Sequence, residues 1–139
     1  MRRHASCACG QLSAKVAGEP YATVICHCRA CQKRGGAPFG VGAYFRRDQV
    51  ELSGDTRTFV RKGESGADLQ NYFCPECGTT VYWLTELHPD GLAIAYGLFG
   101  DTPLPVPDRS VWEVTRHDWV DVPDGDRYLM GRAGPKVAT

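Results

Sequence analysis

Seven cysteines stand in three tight groups along the chain: Cys7-Ala8-Cys9, Cys26-His27-Cys28-Arg29-Ala30-Cys31 and Cys74-Pro75-Glu76-Cys77. An odd count leaves no complete disulfide framework. The C-x-C and C-x-x-C spacings also set thiols side by side, whereas a disulfide staple links distant segments. Thiols gathered in this way are metal ligands. Two such pairs converging from different parts of the chain supply four sulfurs to a tetrahedral zinc, with Zn–S near about 2.3 Å.

The run Cys74-Pro75-Glu76-Cys77-Gly78 is the strongest local signal, because its glycine permits the positive φ that such a turn requires. A redox dithiol also uses C-x-x-C, but at the start of a long helix. Here the run continues as Gly78-Thr79-Thr80-Val81-Tyr82, which reads as a strand and points to structural zinc. Its partner pair is either Cys7/Cys9 or Cys26/Cys28. Cys26, Cys28 and Cys31, spaced i, i+2, i+5, can together hold one ion with a coordination position left free. That leaves Cys7, Cys9, Cys74 and Cys77 as a closed four-sulfur site. C-x-C pairs are interchangeable on paper, so spacing prefers this division without forcing it. His27 lies between two same-facing ligands and is expected to point the other way, as a packing or supporting residue. His4, His88 and His117 are isolated and read as surface or packed side chains. An iron–sulfur cluster at the three-cysteine turn would lack its usual fourth thiolate.

An open three-thiolate zinc has a distinct chemistry. Three thiolates give the centre a formal charge of about −1, a weak Lewis acid toward carbonyls, yet a coordinated thiol is deprotonated outright. Such a site therefore suits a substrate that reacts as a thiolate. Arg29, Lys33 and Arg34 follow within a turn or so of Cys31 and could offset the charge or grip a carboxylate; Arg46 and Arg47 are further candidates.

The elements that must position these groups are short. Candidate strands lie at 11–16, 22–26, 39–45, 56–60, 69–73, 80–84, 92–96 and 111–113, rich in β-branched and aromatic residues and bounded by Gly, Pro, Asp or Ser. Only 29–34 reads as a helical turn, stopped by Gly35-Gly36. The pattern predicts a mainly β fold with antiparallel sheets. Pro103, Pro105 and Pro107 make 102–108 an extended connection, and 131–139 carries almost no apolar content and reads as a frayed tail. At 139 residues and 42% hydrophobic content, residues 1–130 are expected to form a single zinc-binding domain.

The charge is split. Residues 1–62 carry 11 Lys/Arg against 4 Asp/Glu, and residues 63–139 carry 5 against 12. Interleaving of the halves in one fold would neutralise this, and the sequence pI of about 6.9 is not that of a nucleic-acid domain. No apolar stretch is long enough for a membrane span. Clustered thiols without a signal-type segment are expected of a cytoplasmic protein.

The motifs resemble the glutathione-dependent formaldehyde-activating enzymes, a family that includes centromere protein V. The resemblance runs from Cys7 to about Tyr128. It rests on Cys7-Ala8-Cys9-Gly10, the Cys26–Cys31 run, Gly36-Ala37-Pro38-Phe39, Phe73-Cys74-Pro75-Glu76-Cys77-Gly78-Thr79, and a closing stretch with Trp112, Trp119 and Tyr128. It implies a β-tent fold and two zinc ions, one structural on Cys7, Cys9, Cys74 and Cys77, one catalytic on Cys26, Cys28 and Cys31. It also implies a carbon–sulfur lyase acting on S-hydroxymethylglutathione, with glutathione or a related small thiol as partner. No glutathione-binding residue is matched. The competing readings are a zinc-ribbon-like module binding nucleic acid or protein, and a redox turn cycling to a disulfide; the oligomeric state is left open.

Overall fold

A computed structural model describes residues 1–138 of the chain. The strands, in chain order, are β1 (Arg2–Ser6), β2 (Ser13–Ala17), β3 (Ala22–Cys26), β4 (Gly40–Arg46), β5 (Val50–Ser53), β6 (Arg57–Lys62), β7 (Asp68–Phe73), β8 (Thr80–Thr85), β9 (Gly91–Ala95), β10 (Arg109–Val111) and β11 (Asp126–Arg127), and the helix α1 (Arg29–Gly35) follows β3. They form a three-stranded sheet in the order β1-β2-β5 and an eight-stranded sheet in the order β11-β10-β3-β4-β9-β8-β7-β6. The fold is mainly β, as the residue pattern predicts. The larger sheet is mixed, because β10 runs parallel to both β3 and β11; its other pairs are antiparallel.

Burial explains the order. β3 reads Ala-Thr-Val-Ile-Cys with its first four residues buried, the near-continuous apolar run expected of an interior strand. It pairs with β4, which pairs with β9 so that Ala43 faces Ile94 and Phe45 faces Leu92. Ala5, Leu12, Ala14 and Val16 from the small sheet pack with Phe45, Val81, Leu92 and Ile94 from the large one into a single core. Phe45 is wholly buried there. Its truncation to Ala would cost about 3–5 kcal/mol, a large part of the stability of a domain this size. Cys7 and Cys74 belong to this same core, and Cys26, Cys28 and Cys31 do not.

Three strands lack the expected apolar alternation. β1 buries Arg3 and Ala5 in place of two large hydrophobes. The Arg3 guanidinium is satisfied throughout, donating to the Pro103 and Gly18 carbonyls (3.0 and 3.1 Å) and to the Glu19 carboxylate (3.0 Å). It ties the proline-rich connection to the small sheet. β5 is a short exposed edge and β11 has two residues. β10 falls two residues earlier than the run 111–113 suggests. Trp112 turns into the left-handed region (φ 59°), and Glu113–Thr115 close a 3-10 turn. The segment after residue 130 returns over β11, where Val137 N–H donates to the Arg127 carbonyl at 2.9 Å and Leu129 N–H to Pro135 at 3.0 Å. Among the described residues, no helix is long and apolar enough to cross a membrane.

Candidate functional site

The four-cysteine group forms where two turns face each other. Cys7 and Cys9 lie between β1 and β2, and Cys74 and Cys77 between β7 and β8. Each turn closes on a glycine in the left-handed region. Gly10 (φ 86°) donates to Cys7 C=O at 3.1 Å, and Gly78 (φ 79°) to Cys74 C=O at 2.8 Å. The turns also touch directly through Ala8 N–H and the Thr79 hydroxyl at 3.2 Å. The four sulfurs lie within 4.8 Å of one another, with Cys7–Cys9 and Cys9–Cys74 each at 3.7 Å.

That separation decides between bonding modes. A disulfide would be about 2.05 Å, and four sulfurs about 2.3 Å from a tetrahedral zinc would stand about 3.8 Å apart. The observed spacing fits the second. Donors already face the sulfurs: Leu12 N–H to Cys7 (3.3 Å), Glu76 N–H to Cys74 (3.4 Å) and the Gln11 amide to Cys74 (3.1 Å). The Thr79 hydroxyl beside Cys77, with its N–H, holds that thiol down at about 5. Cys74 and Cys77 are thus held toward the thiolate, whereas at Cys9 the Gln11 backbone bond is outweighed by burial and by the neighbouring thiols, which push it up to about 12. The four sulfurs together could hold a metal ion with no position left over.

The three-cysteine group is built differently. Cys26 ends β3, Cys28 caps α1 in an extended conformation with its sulfur accepting Cys31 N–H at 3.4 Å, and Cys31 sits in the first turn. Gly36 (φ 62°) ends the helix, as Gly35-Gly36 suggests. The three sulfurs lie within 4.8 Å of one another. Hydrogen bonds from Cys26 and Cys31 pull the Cys28 thiol down to about 2, and the bonds to Cys28 and Cys31 push Cys26 up. One negative sulfur shared among three close thiols is a donor set that a soft cation would complete. The division of seven cysteines into four and three is thus the one the fold assembles.

His27 points away from the sulfurs, as alternation requires. It is fully buried against Phe39, and its Nε2 contacts the Ser110 hydroxyl at 2.9 Å. Its carbonyl accepts from the Thr115 hydroxyl (2.7 Å) and the Gln32 amide (2.8 Å). Gln32 Oε1 in turn meets His117 Nε2 at 2.8 Å. Glu113, its side chain 2% exposed, pairs with Arg127 at 2.6 Å and Arg116 at 3.3 Å. The turn is therefore held from behind by polar groups of the C-terminal segment.

In front of it lies a cavity of about 310 Å³, within the range of small-molecule sites. Cys26, Cys28 and Cys31 all line it. So do four arginines: Arg34 from α1, Arg61 from β6, Arg109 from β10, and Arg132. The Arg34 guanidinium lies 3.8 Å above the Trp83 ring, a cation–π contact, and its buried Nη1 has no hydrogen-bond partner among the described residues. Gly42 makes room for this layer, since a Cβ there would stand 2.7 Å from Trp83 Cζ2. Burial pushes the Tyr44 phenol in the same wall up to about 12 and keeps it protonated.

Of the basic candidates near the cysteine turn, only Arg34 reaches this space. Arg29 contacts Gln32 (3.4 Å), and Arg46 pairs with Asp48 at 3.2 Å outside the cavity lining. Arg61, Arg109, Arg132 and Trp83 are brought in by topology, from up to about a hundred residues away, and no local motif announces them; Trp112 joins them from the closing stretch of the family resemblance. Trp119 is 71% exposed and stays outside the cavity.

The model of the glutathione-dependent formaldehyde-activating enzymes matches residues 2–115, which include all seven cysteines and most of the cavity wall. The chain belongs to that family. Membership ties it to glutathione and to formaldehyde activation. The chain is also similar to the crystal structure of a Rhodobacter sphaeroides protein, a structural genomics target, with a TM-score of 0.56, 16% identity, and coverage of 72% of this chain and 90% of that one. At that identity the likeness supports the fold alone. No curated protein matches the chain.

Proposed function

We propose that the chain is a zinc-dependent carbon–sulfur lyase-type enzyme acting on a small thiol adduct of the S-hydroxymethylglutathione kind. One observation carries the reading: the three-cysteine cluster lines a cavity shared with four arginines, while the four-cysteine cluster does not line that cavity and sets two of its members, Cys7 and Cys74, in the core. Cys7, Cys9, Cys74 and Cys77 would hold a structural zinc, and Cys26, Cys28 and Cys31 a catalytic one. Bound there with a fourth position free, zinc would keep an incoming thiol as its thiolate.

The chain's own residues do the rest. Glutathione carries two carboxylates, and guanidinium groups bind carboxylates in a fixed fork. Arg34 stands close to Cys31: a Cβ placed at Gly40 would lie 2.6 Å from its Nη2 and 3.3 Å from Cys31 Cβ. It orients the thiol at the cluster. Arg61, Arg109 and Arg132 stand around the same space and take the more distant carboxylate. The neutral Tyr44 phenol is a proton-bearing group that can face an oxygen of the adduct. In the cleaving direction the C–S bond breaks, its electron pair returns to sulfur, and the adduct hydroxyl gives up its proton as the carbonyl forms.

The test replaces zinc by Co²⁺ and follows the visible spectrum as glutathione is added. Glutathione is expected to shift the bands of the open site, and Cys31→Ser to abolish the shift while four-sulfur absorption persists. A spectrum indifferent to millimolar glutathione, cysteine and other small thiols would remove the chemical basis of the proposal. A zinc-bearing module that binds nucleic acid, with a steep salt dependence at low ionic strength, would then take its place.

A further inference from the structure

The cavity has a second kind of wall, made of hydrocarbon. Beside the four arginines it is lined by Val24, Leu69, Leu87, Val111, Trp83 and Trp112. The polar wall has an evident use. Elsewhere Arg3, Arg46, Arg116 and Arg127 pair with carboxylates, but among the described residues none of the four cavity arginines does. Glu64 is the cavity's carboxylate. The guanidiniums therefore match the carboxylates of a thiol such as glutathione. Formaldehyde adds to that thiol only one carbon and one hydroxyl, so beyond the thiol's own methylenes that adduct offers this wall little of its own kind.

Two residues of that wall are held at a cost. Trp112 is the sole non-glycine residue with positive φ among the described residues (φ 59°, ψ 38°). A side chain bearing a Cβ costs about 1–2 kcal/mol in that conformation. The strain is held by Trp112 N–H to Met130 C=O at 3.0 Å and Thr115 N–H to Trp112 C=O at 3.2 Å, and it sets the indole in the cavity wall. Leu87, 61% exposed, lines the same space from the connection after β8. An exposed leucine and a strained tryptophan lining one cavity with the cysteine cluster match an apolar group carried on that thiol's carbon.

Resting on the reading of the cysteine cluster given above, we infer that this cavity takes the adduct of a carboxylate-bearing thiol with an aldehyde that carries a hydrocarbon substituent, aromatic or branched aliphatic, in preference to the adduct of formaldehyde. In the forming direction the thiolate lone pair makes the C–S bond, the C=O π pair moves to oxygen, and that oxygen takes the proton the thiol gave up. The product is a hemithioacetal, and nothing is oxidised or reduced. The carboxylates lie toward the arginines and the substituent toward Trp112 and Leu87.

The zinc-loaded protein is titrated with S-methylglutathione and with S-benzylglutathione, followed by quenching of tryptophan fluorescence. Benzaldehyde and formaldehyde are then compared as partners of glutathione by kcat/KM. The benzyl conjugate is expected to bind at least about tenfold more tightly than the methyl one, the scale of a few buried carbons. Trp112→Gly suits the backbone at that φ and is expected to bring the ratio within about twofold. The same is expected of Leu87→Ser, a change at an exposed position that leaves the core alone. Equal affinities for the two conjugates, or a higher kcat/KM with formaldehyde than with benzaldehyde, would overturn the inference. The cobalt spectrum separates the two failures. If glutathione shifts it and the conjugates do not differ, the thiol site stands and the apolar preference falls; if glutathione leaves it unchanged, both fall.

Discussion

The two cysteine groups use the same ligand atoms at the same close spacing, and they are embedded in opposite ways. The four-sulfur group joins turns 65 residues apart in sequence (Cys9 to Cys74), and two of its members lie in the main apolar core. The three-sulfur group spans six residues at the end of one strand, faces a cavity, and is backed by polar side chains from the C-terminal segment. What a metal does follows from this. Where ligands come from distant segments, binding energy is folding energy. Where they come from one turn, the ion constrains little of the chain and its free position is available for chemistry.

The sharpest way to break the comparison is one cysteine at a time. Cys74→Ser is expected to leave the chain unfolded by circular dichroism, since a structural zinc contributes about 10–16 kcal/mol and a domain has about 5–15 kcal/mol to lose. Cys31→Ser is expected to stay folded, with its melting temperature lowered by a few degrees. Equal losses in the two variants, or a greater one in Cys31→Ser, would reverse the assignment of roles.

A smaller effect sharpens it further. Purified under reducing conditions, the protein is expected to hold two zinc ions per chain, and a chelator is expected to remove them in two phases. The first phase, from the open site, should leave the far-ultraviolet spectrum unchanged; the second should coincide with its collapse. A single phase in which metal and structure are lost together would mean that the two sites are not independent.

The difference between the sites also decides what the sequence could reveal. The cysteines were legible because metal geometry demands close spacing, and close spacing on one turn is local. β3 was legible to the residue, since its apolar run needs no context. The side of His27 followed from alternation. The cavity was not legible, because a wall made by α1, β6, β10 and the segment near Arg132 exists only after the sheets are paired. β1 was missed because its inward positions are Arg3 and Ala5, and Arg3 is buried only because Glu19, Gly18 and Pro103 meet it. β10 was misplaced because the extended path ends where Trp112 adopts a conformation that a tryptophan rarely takes.

The mildest test concerns what stands behind the open site. Burial alone would raise the Glu113 carboxyl, but the hydrogen bonds and charge of Arg127 outweigh it and hold the group below its ordinary value of 4.5. A carboxyl whose folded pKa is depressed contributes stability that is complete above the unfolded value and is lost as pH falls through the folded one. Glu113→Gln should therefore cost about 2 kcal/mol at pH 7, the scale of hydrogen bonds to a charged group. Arg116 and Arg127 keep partial access to water, which limits the loss. The gap between wild type and variant in denaturant unfolding is expected to hold level from about pH 8 to about pH 5.5, because the carboxyl is ionised in both states throughout. It should narrow only below about pH 4.5. Because Glu113 opens the 3-10 turn that ends at Thr115, whose hydroxyl holds the His27 carbonyl, the variant should also loosen Co²⁺ at the three-cysteine site and leave the four-sulfur absorption intact. A gap that already closes near pH 6 would assign the stability to some other group. Equal loosening at both cobalt sites would show that the polar backing serves the whole fold and that the open site has no support of its own.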